Sequence, residues 1–266
     1  MKYCVIEVDS DYYLPYKFIG STIRGAFGVG LKRVVCINPA KECNKCFAKD
    51  GCLYYDFFEK DFAKFRLDFE INSRVNFKMF LFEEAVEKAP YVISGLYNAF
   101  KEVGLGVKRE KIDFLMRFNN QLIYDGEFKN FKNTPLEVGE FEYQKELKFI
   151  IKTPIRVKEN GKFVRDGLKL ETILRSINHR LLKLQNKSLE KLSFTPEYDV
   201  KRKDLSFIDF SRYSNRQKTK MKLGGIIGEI EFSFLDEKSF KLLKLAEIIG
   251  VGKQVTFGLG SVRVES

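Results

Sequence analysis

The two halves of the chain carry the same order of strand-like and helix-like patterns, and this repetition restricts the fold more than any other feature. In the first half, runs rich in Phe, Ile and Val predict strands, and apolar stripes at three- and four-residue spacing predict helices. The predicted strands are residues 2–8, 66–71, 75–82 and 111–118, and the predicted helices are residues 21–35 and 90–103. We expect Ser21 to cap the first helix and Pro90 to occupy the first turn of the second. This order of elements is that of a ferredoxin-like domain.

The second half repeats the order. Its predicted strands are residues 147–157, a segment near Ile208, 226–234 and 260–264, and its predicted helices are residues 169–187 and 237–249, with a turn at Asn160 and Gly161. Pro135 and Gly139 indicate a linker over residues 130–145. We therefore predict an α+β protein with two tandem ferredoxin-like (βαββαβ) domains. The domains are residues 1–129, with a cysteine-rich insertion at 36–58 after the first helix, and residues 146–266.

The composition excludes a disordered chain and a membrane protein. Of the 266 residues, 44% are hydrophobic, which is enough to build a full core at this length. No apolar run approaches the ~20 residues of a membrane span, and the charged first residues lack the apolar run of a signal peptide. We expect a soluble, cytoplasmic protein with no membrane partner.

Positive charge is concentrated between residues 201 and 222. The net charge is +11, and this segment holds eight basic and two acidic residues, so it contributes +6. The basic residues are Lys201, Arg202, Lys203, Arg212, Arg216, Lys218, Lys220 and Lys222. Phe207, Phe210 and Tyr213 lie between them, and because rings stack on bases, the segment favours a nucleic acid over an anionic membrane surface. A solvated basic loop is the other interpretation.

A glycine-rich loop follows the last predicted helix. It contains Gly250, Gly252, Gly258 and Gly260 together with Lys253. Glycines leave backbone N–H groups accessible and let a phosphate chain approach where a Cβ would block it. The loop does not match a P-loop, which requires Gly-Lys-Ser/Thr at a helix start, and it indicates an RNA contact. The alternative is an ordinary helix C-cap.

Four of the five cysteines follow the spacing C-x6-C-x2-C-x5-C: Cys36, Cys43, Cys46 and Cys52. A C-x2-C pair brings two thiolates to one tetrahedral ion, and the flanking cysteines complete the ligand set, which predicts a structural zinc or another tetrahedral metal. Four protein ligands leave no position for water, so the site would not be catalytic. Unrelated thiols and disulfides are the alternatives. Cys4 is expected to be a buried apolar residue.

Several motifs along nearly the whole chain resemble those of one family. They are residues 14–17 (LPYK), 20–28 (GSTIRGAFG), the cysteines, 212–217 (RYSNRQ), 224–228 (GGIIG), 251–253 (VGK) and 257–260 (FGLG). The sequence resembles the CRISPR repeat-processing endoribonucleases of the repeat-associated mysterious protein (RAMP) superfamily, in the branch with a cysteine cluster after the first helix. The resemblance implies binding of CRISPR repeat RNA and cleavage of precursor transcripts into guide RNAs, with no metal or other cofactor in catalysis.

Cleavage of this kind proceeds by attack of the ribose 2′-hydroxyl and leaves a 2′,3′-cyclic phosphate, which requires a base, an acid and charge stabilisation. His179 is the chain's only imidazole. On the predicted helix it lies opposite the apolar stripe, beside Arg175 and Lys183 at four-residue steps. We expect an exposed His179 with a pKa near ~6.5 as a catalytic candidate, and the two cations as phosphate contacts. A solvated basic helix face would look the same.

The resemblance to the family does not identify which residues transfer protons in this chain. Members of this branch often carry His near the first helix and before the Val-Gly-Lys motif, where this chain has residues such as Val29 and Gly250. Relatives without these histidines rely on Lys, Arg and Tyr. The corresponding candidates are Arg24, Lys32, Arg33, Tyr213 and Arg216. Such a site works by positioning and charge, so we expect slow, single-turnover cleavage.

Binding is expected to use phosphate contacts from the basic segment and from the glycine-rich loop. The side chains expected to contact RNA there are Arg212, Lys218, Lys220, Lys222 and Lys253. The alternative function is that of a non-catalytic guide-RNA-binding subunit of a CRISPR interference complex, or of a structural subunit of one. The sequence leaves homodimer formation and contacts with other CRISPR effector subunits open.

Overall fold

The chain forms two compact units in the computed structural model, which describes residues 1–40, 42–214 and 219–266. One unit comprises residues 1–67 and 71–137, and the other comprises residues 68–70 and 138–266. The change at residue 137 falls inside the segment expected to be a linker. Within the described ranges, no helix has both the length and the apolar character needed to cross a membrane.

The first unit alternates strands and helices. In chain order its elements are β1 (Lys2–Tyr13), α1 (Gly20–Val35), α2 (Leu53–Phe58), β2 (Phe65–Asp68), β3 (Arg74–Phe82), α3 (Ala89–Tyr97), β4 (Leu115–Phe118), β5 (Gln121–Tyr124) and β6 (Leu136–Glu137). A 3-10 turn (Glu83–Lys88) precedes α3, and a π-helical turn (Asn98–Val103) follows it. Pro90 lies in the first turn of α3, as expected.

The sheet of the first unit has the order β2-β3-β1-β4-β5, and β6 also pairs with β1. Strand β1 runs antiparallel to β3 and β4. Its alternate residues Cys4, Ile6 and Val8 are fully buried, because successive side chains of a strand point to opposite faces. Helices α1 and α3 cross where a Cβ on Gly30 would lie 2.2 Å from the Gly95 carbonyl oxygen, so this close approach requires glycine.

The second unit repeats the arrangement. Its elements are β7 (Leu147–Ile155), β8 (Lys158–Glu159), β9 (Lys162–Phe163), α4 (Leu170–Leu184), β10 (Tyr198–Ile208), β11 (Ser211–Ser214), β12 (Thr219–Lys222), β13 (Gly225–Leu235), α5 (Glu237–Ile249) and β14 (Val262–Glu265). The sheet order is β10-β13-β7-β14, with antiparallel neighbours. Helix α4 packs against α5. Strands β8 with β9 and β11 with β12 form separate hairpins. Both units therefore have the predicted ferredoxin-like order of elements.

Several boundaries differ from the predictions. Helix α1 begins at Gly20 after Ile19 and has no side-chain cap, so the prediction of Ser21 as the cap is wrong. The predicted strand at residues 111–118 is shortened to β4. Residues 201–208 lie in strand β10, which pairs with β13, so the alternative of a solvated loop is wrong for this part of the basic segment.

Candidate nucleic-acid interface

Helix α4 carries the chain's only histidine. Arg175 and Lys183 are exposed, as expected, whereas His179 is half-buried rather than exposed. Burial lowers the pKa of His179 below its ordinary value, and the charges of Arg175 and Lys183 lower it further. The imidazole is therefore mainly neutral at pH 7 and available to accept a proton. A helical wheel places His179 opposite the apolar stripe, but it does not show what packs along that flank.

Two residues of α4 hold the glycine-rich loop in place. Arg180 is buried, and its Nε donates a hydrogen bond to the carbonyl oxygen of Ile249 at the end of α5. The backbone N–H of Gly252 donates to Ser176 Oγ over 2.9 Å. Ser176 and His179 are three residues apart and hence neighbours on one side of the helix. Sequence reasoning missed Ser176 and Arg180, because neither belongs to a motif.

The glycines of this loop serve its conformation. Gly250, Gly252, Gly258 and Gly260 have φ values of 77, 84, 80 and 70°, in the region that favours glycine. A Cβ on Gly260 would lie 1.8 Å from the Val251 carbonyl oxygen. All four N–H groups donate within the protein, to Ala246 O, Ser176 Oγ, Val255 O and Pro154 O respectively. The expected cradle of accessible N–H groups is therefore absent at these positions.

The side chain of Lys253 is the group of this loop that is available to contact a ligand. Its side chain is exposed, while its backbone N–H donates to the Arg156 carbonyl oxygen over 2.8 Å. A Cβ on Gly252 would lie 2.7 Å from the same oxygen, so the loop and Arg156 are in close contact. The loop thus presents a fixed lysine rather than a set of amides, and contacts between RNA and the glycines themselves stay a prediction.

Arg156 connects two of the sequence motifs and the β8–β9 hairpin. In addition to its contact with the loop, Arg156 Nη1 donates to the Gly224 carbonyl oxygen over 2.9 Å, in the Gly-Gly motif that precedes β13. Its guanidinium lies 3.8 Å from the ring centroid of Phe163 in the β8–β9 hairpin. Burial lowers the pKa of Arg156, and the charge of Asp209 opposes this effect. Sequence reasoning missed Arg156, since it lay near the end of a predicted strand and matched no motif.

The structure describes only part of the basic segment, residues 201–214 and 219–222. Lys203 donates to the Leu168 carbonyl oxygen over 2.7 Å, and Lys222 lies 3.6 Å from an Asp209 carboxylate oxygen. In the β11–β12 hairpin, the backbones of Arg212 and Tyr213 pair with Met221 and Lys220. Arg216 and Lys218 lie outside the described residues. Their proposed contacts with RNA stay predictions.

In the first unit, Arg24 and Lys32 contact the short helix α2. The Arg24 guanidinium lies 4.7 Å from the ring centroid of Phe58, and Lys32 Nζ lies 4.8 Å from that of Tyr54. Lys32 Nζ also donates to Cys43 Sγ over 3.6 Å. These contacts fix both cations beside the cysteine-rich insertion, and a catalytic role for either stays a prediction.

The four clustered cysteines line one small pocket. Cys36 directly follows α1 and Cys52 directly precedes α2, so the cluster lies between two helix ends. All five cysteines are free thiols, which argues against the disulfide alternative. Among the described residues, however, no three Cys, His, Asp or Glu side chains are arranged as a metal-binding group. Cys4 is fully buried, as expected, and burial raises its pKa to about 12.

Sequence comparison divides the chain at nearly the same place as its structure. A model of the CRISPR-associated endoribonuclease Cas6 family matches residues 147–262, and an N-terminal domain model, AF_1859_N, matches residues 2–136. An uncharacterized protein of Archaeoglobus fulgidus is 26% identical over 282 residues, which covers 96% of this chain and 94% of that protein. The similarity to this protein extends over both units.

Solved structures share the fold of the whole chain. A Cas6 product complex matches with a TM-score of 0.58 at 15% identity, and a second matches at 0.53 and 16%, each covering 100% of both chains. Thermus thermophilus Cas6 matches with a TM-score of 0.53 at 13% identity, covering 99% of this chain and 98% of that one. Two tandem ferredoxin-like domains are thus the fold of this chain and of these structures.

Proposed function

Residues 147–262 match the family of CRISPR-associated Cas6 endoribonucleases, and from this premise we propose that the chain binds CRISPR repeat RNA and cuts precursor transcripts into guide RNAs. The single observation that carries the proposal is the arrangement on α4. A half-buried imidazole, whose pKa is lowered by burial, lies between two exposed cations on the helix that holds the Lys253 loop. That Cas6 product complexes share the fold further supports RNA as the ligand.

The proposed reaction is a transesterification within the RNA chain. His179 accepts the proton of the 2′-hydroxyl, the 2′ oxygen attacks the adjacent phosphorus, and the bond to the 5′ oxygen breaks. The products are a 2′,3′-cyclic phosphate and a 5′-hydroxyl end. Arg175, Lys183 and Lys253 supply positive charge to the phosphate in the transition state. This scheme requires no divalent metal ion.

We expect the reaction to be slow. The chain has one histidine, so no second imidazole is available to protonate the departing 5′ oxygen. Water, or a Lys or Tyr with a pKa near ~10, is a poor substitute at neutral pH. Arg24, Lys32, Tyr213 and Arg216 remain proposed sources of positioning and charge.

End-labelled repeat RNA tests this function directly. We expect cleavage in EDTA, a cyclic phosphate on the upstream product, and no cleavage of RNA with a single 2′-deoxy substitution at the cut. A strict requirement for Mg²⁺, or cleavage of the deoxy substrate, would contradict the mechanism. A shifted but intact RNA band would instead identify a non-catalytic guide-RNA-binding subunit. Homodimer formation and contacts with other effector subunits remain predictions.

We also propose a structural zinc in the cysteine-rich insertion. The support is the C-x2-C spacing, the common pocket lined by four free thiols, and the location of Cys36 and Cys52 at two helix ends. Because the described side chains do not form a three-ligand group, binding would require the thiolates to come closer together. The ion would hold α1 and α2 together and take no part in cleavage.

A further inference from the structure

A short basic hairpin lies between β7 and α4, separate along the chain from the basic segment recognised in the sequence. Residues 156–169 carry five basic side chains and two acidic ones, Glu159 and Asp166. The basic ones are Arg156, Lys158, Lys162, Arg165 and Lys169. Lys158, Lys162 and Arg165 are exposed, so the excess of charge faces solvent. A hairpin with this charge is suited to an acidic partner.

The cations of this hairpin lie over aromatic rings. The Phe163 ring centroid is 3.8 Å from the Arg156 guanidinium and 5.0 Å from Lys158 Nζ. The guanidinium of Arg165 lies 5.4 Å from the ring centroid of Phe207, which is 36% exposed. We call Arg156, Lys158, Phe163, Arg165 and Phe207 the ring-and-cation surface. It combines the two groups that bind single-stranded nucleic acid, rings for bases and cations for phosphates.

The two exposed cations of the surface have no carboxylate partner in the described part of the chain, whereas the charge of Asp209 acts on Arg156. Neither Lys158 nor Arg165 has an ion pair there. The Glu159 side chain accepts a hydrogen bond from Thr172 Oγ1 instead of pairing with a hairpin cation. The Arg156 Nε is buried with no hydrogen-bond partner among the described residues. Lys158 and Arg165 therefore keep their charge for a ligand.

The surface is continuous with the Lys253 loop. The Arg156 carbonyl oxygen accepts the Lys253 backbone N–H, and Arg156 Nη1 donates to the carbonyl oxygen of Gly224. A Cβ on Gly224 would lie 2.5 Å from the Phe207 ring, so Gly224 packs against Phe207 as well as accepting the hydrogen bond of Arg156. One RNA strand that contacts Lys253 can thus continue onto these residues.

We propose that the ring-and-cation surface is a second RNA contact, which holds an unpaired stretch of the repeat RNA next to Lys253. The inference rests on the proposed RNA binding and adds a specific subsite to it. Lys158 and Arg165 contact phosphates, and Phe207 stacks on a base. Such contacts depend on the backbone and on ring faces, so they tolerate changes in base sequence.

Charge reversal tests the phosphate contacts. The variant Lys158→Glu/Arg165→Glu is compared with Lys191→Glu/Lys238→Glu, which makes a similar change at exposed lysines of the same unit. Binding is measured by fluorescence anisotropy, with repeat RNA blocked at the cut by a 2′-deoxy sugar. We expect the first variant to bind at least about tenfold more weakly and to lose about 1.4 of the slope of log affinity against log salt, two contacts at ~0.7 each. The control should change affinity less than about threefold.

Phe207→Leu separates stacking from charge. We expect affinity to fall roughly tenfold with an unchanged salt slope, since no charge is lost. Melting curves of all variants confirm that they are folded. If the wild type binds and the charge-reversed variant keeps its affinity and slope, the inference is wrong while the proposed function stands. If the wild type does not bind repeat RNA, the proposed function itself fails. Loss of binding to an acidic peptide with RNA affinity intact would also overturn the RNA contact.

Discussion

His179 shows how burial decides the chemistry of a single side chain. Its pKa is lowered by burial and by Arg175 and Lys183, so the folded protein favours the neutral ring. This stabilisation is present above the unfolded pKa of about 6.5 and is lost as the pH falls, because the unfolded chain then binds the proton more readily. The same shift keeps the proposed base available at neutral pH.

The cleavage rate should depend on pH through the protonation of His179. Under single-turnover conditions we expect a constant rate above pH 6.5 and a decline, toward tenfold per pH unit, below the lowered pKa. His179→Ala should reduce the rate by about 10²-fold or more, since a positioned base contributes at least that much. Asn178→Ala is the matched control on the same helix and should change the rate little. An unchanged rate and pH profile in His179→Ala would remove His179 from the mechanism.

The glycine-rich loop depends on backbone conformation along its whole length. Its positive φ values and internal hydrogen bonds fix where Lys253 leaves the surface. Ser176 and Arg180 fasten the loop to α4, and Arg156 fastens it to the end of β7. The loop is therefore a rigid support for one lysine.

Replacing one of its glycines should cost stability. Gly260→Ala places a Cβ against the Val251 carbonyl oxygen at a φ of 70°, and we expect the free energy of unfolding to fall by more than about 2 kcal/mol. Gly25→Ala is the control, because Gly25 is exposed in α1 and its Cβ would meet nothing within 4 Å. It should be neutral or stabilising by up to about 1 kcal/mol. Urea denaturation measures both changes, and equal midpoints for the two variants would refute this account of the loop.

The proposed zinc site in the cysteine-rich insertion can be tested by the zinc content of the protein and by the reactivity of its thiols. If zinc is bound, the native protein should contain about one zinc per chain by elemental analysis and react slowly with a thiol reagent. A chelator should release the ion, make the four insertion cysteines reactive, and lower the melting temperature. Cys4 should remain unreactive throughout, because it is fully buried with a pKa of about 12. Four reactive thiols and no zinc in protein purified without chelator would refute the site.

The whole molecule carries a net charge of +11, which acts on a polynucleotide at long range. If about five phosphates are contacted, log affinity should fall with log salt at a slope near ~3.5 on single-stranded RNA. Titrations of repeat RNA at several salt concentrations measure this slope. An affinity independent of salt would contradict a role for the basic residues in binding.

The type and approximate bounds of these helices and strands could be predicted, because they depend on residues close together along the chain. Helix α5 lies at the predicted residues 237–249, β3 extends the predicted strand by one residue at its start, and β13 extends it by one residue at each end, since apolar spacing and capping act over a few residues. Asp236 caps α5 by accepting the Ser239 N–H, which is again a local effect. Arg156 could not be found in this way, because its partners Gly224 and Lys253 are distant along the chain.

By itself, the sequence determined the order of elements in both units, the excess of positive charge, and the motifs that resemble those of the CRISPR repeat-processing endoribonucleases. These properties depend on residue types and on short-range spacing. Only the tertiary structure decided that His179 is half-buried, that the N–H groups of the loop glycines donate within the protein, and that Arg156 joins two separate motifs and a hairpin. Such outcomes depend on which distant segments pack together, and burial and hydrogen bonding follow from that packing.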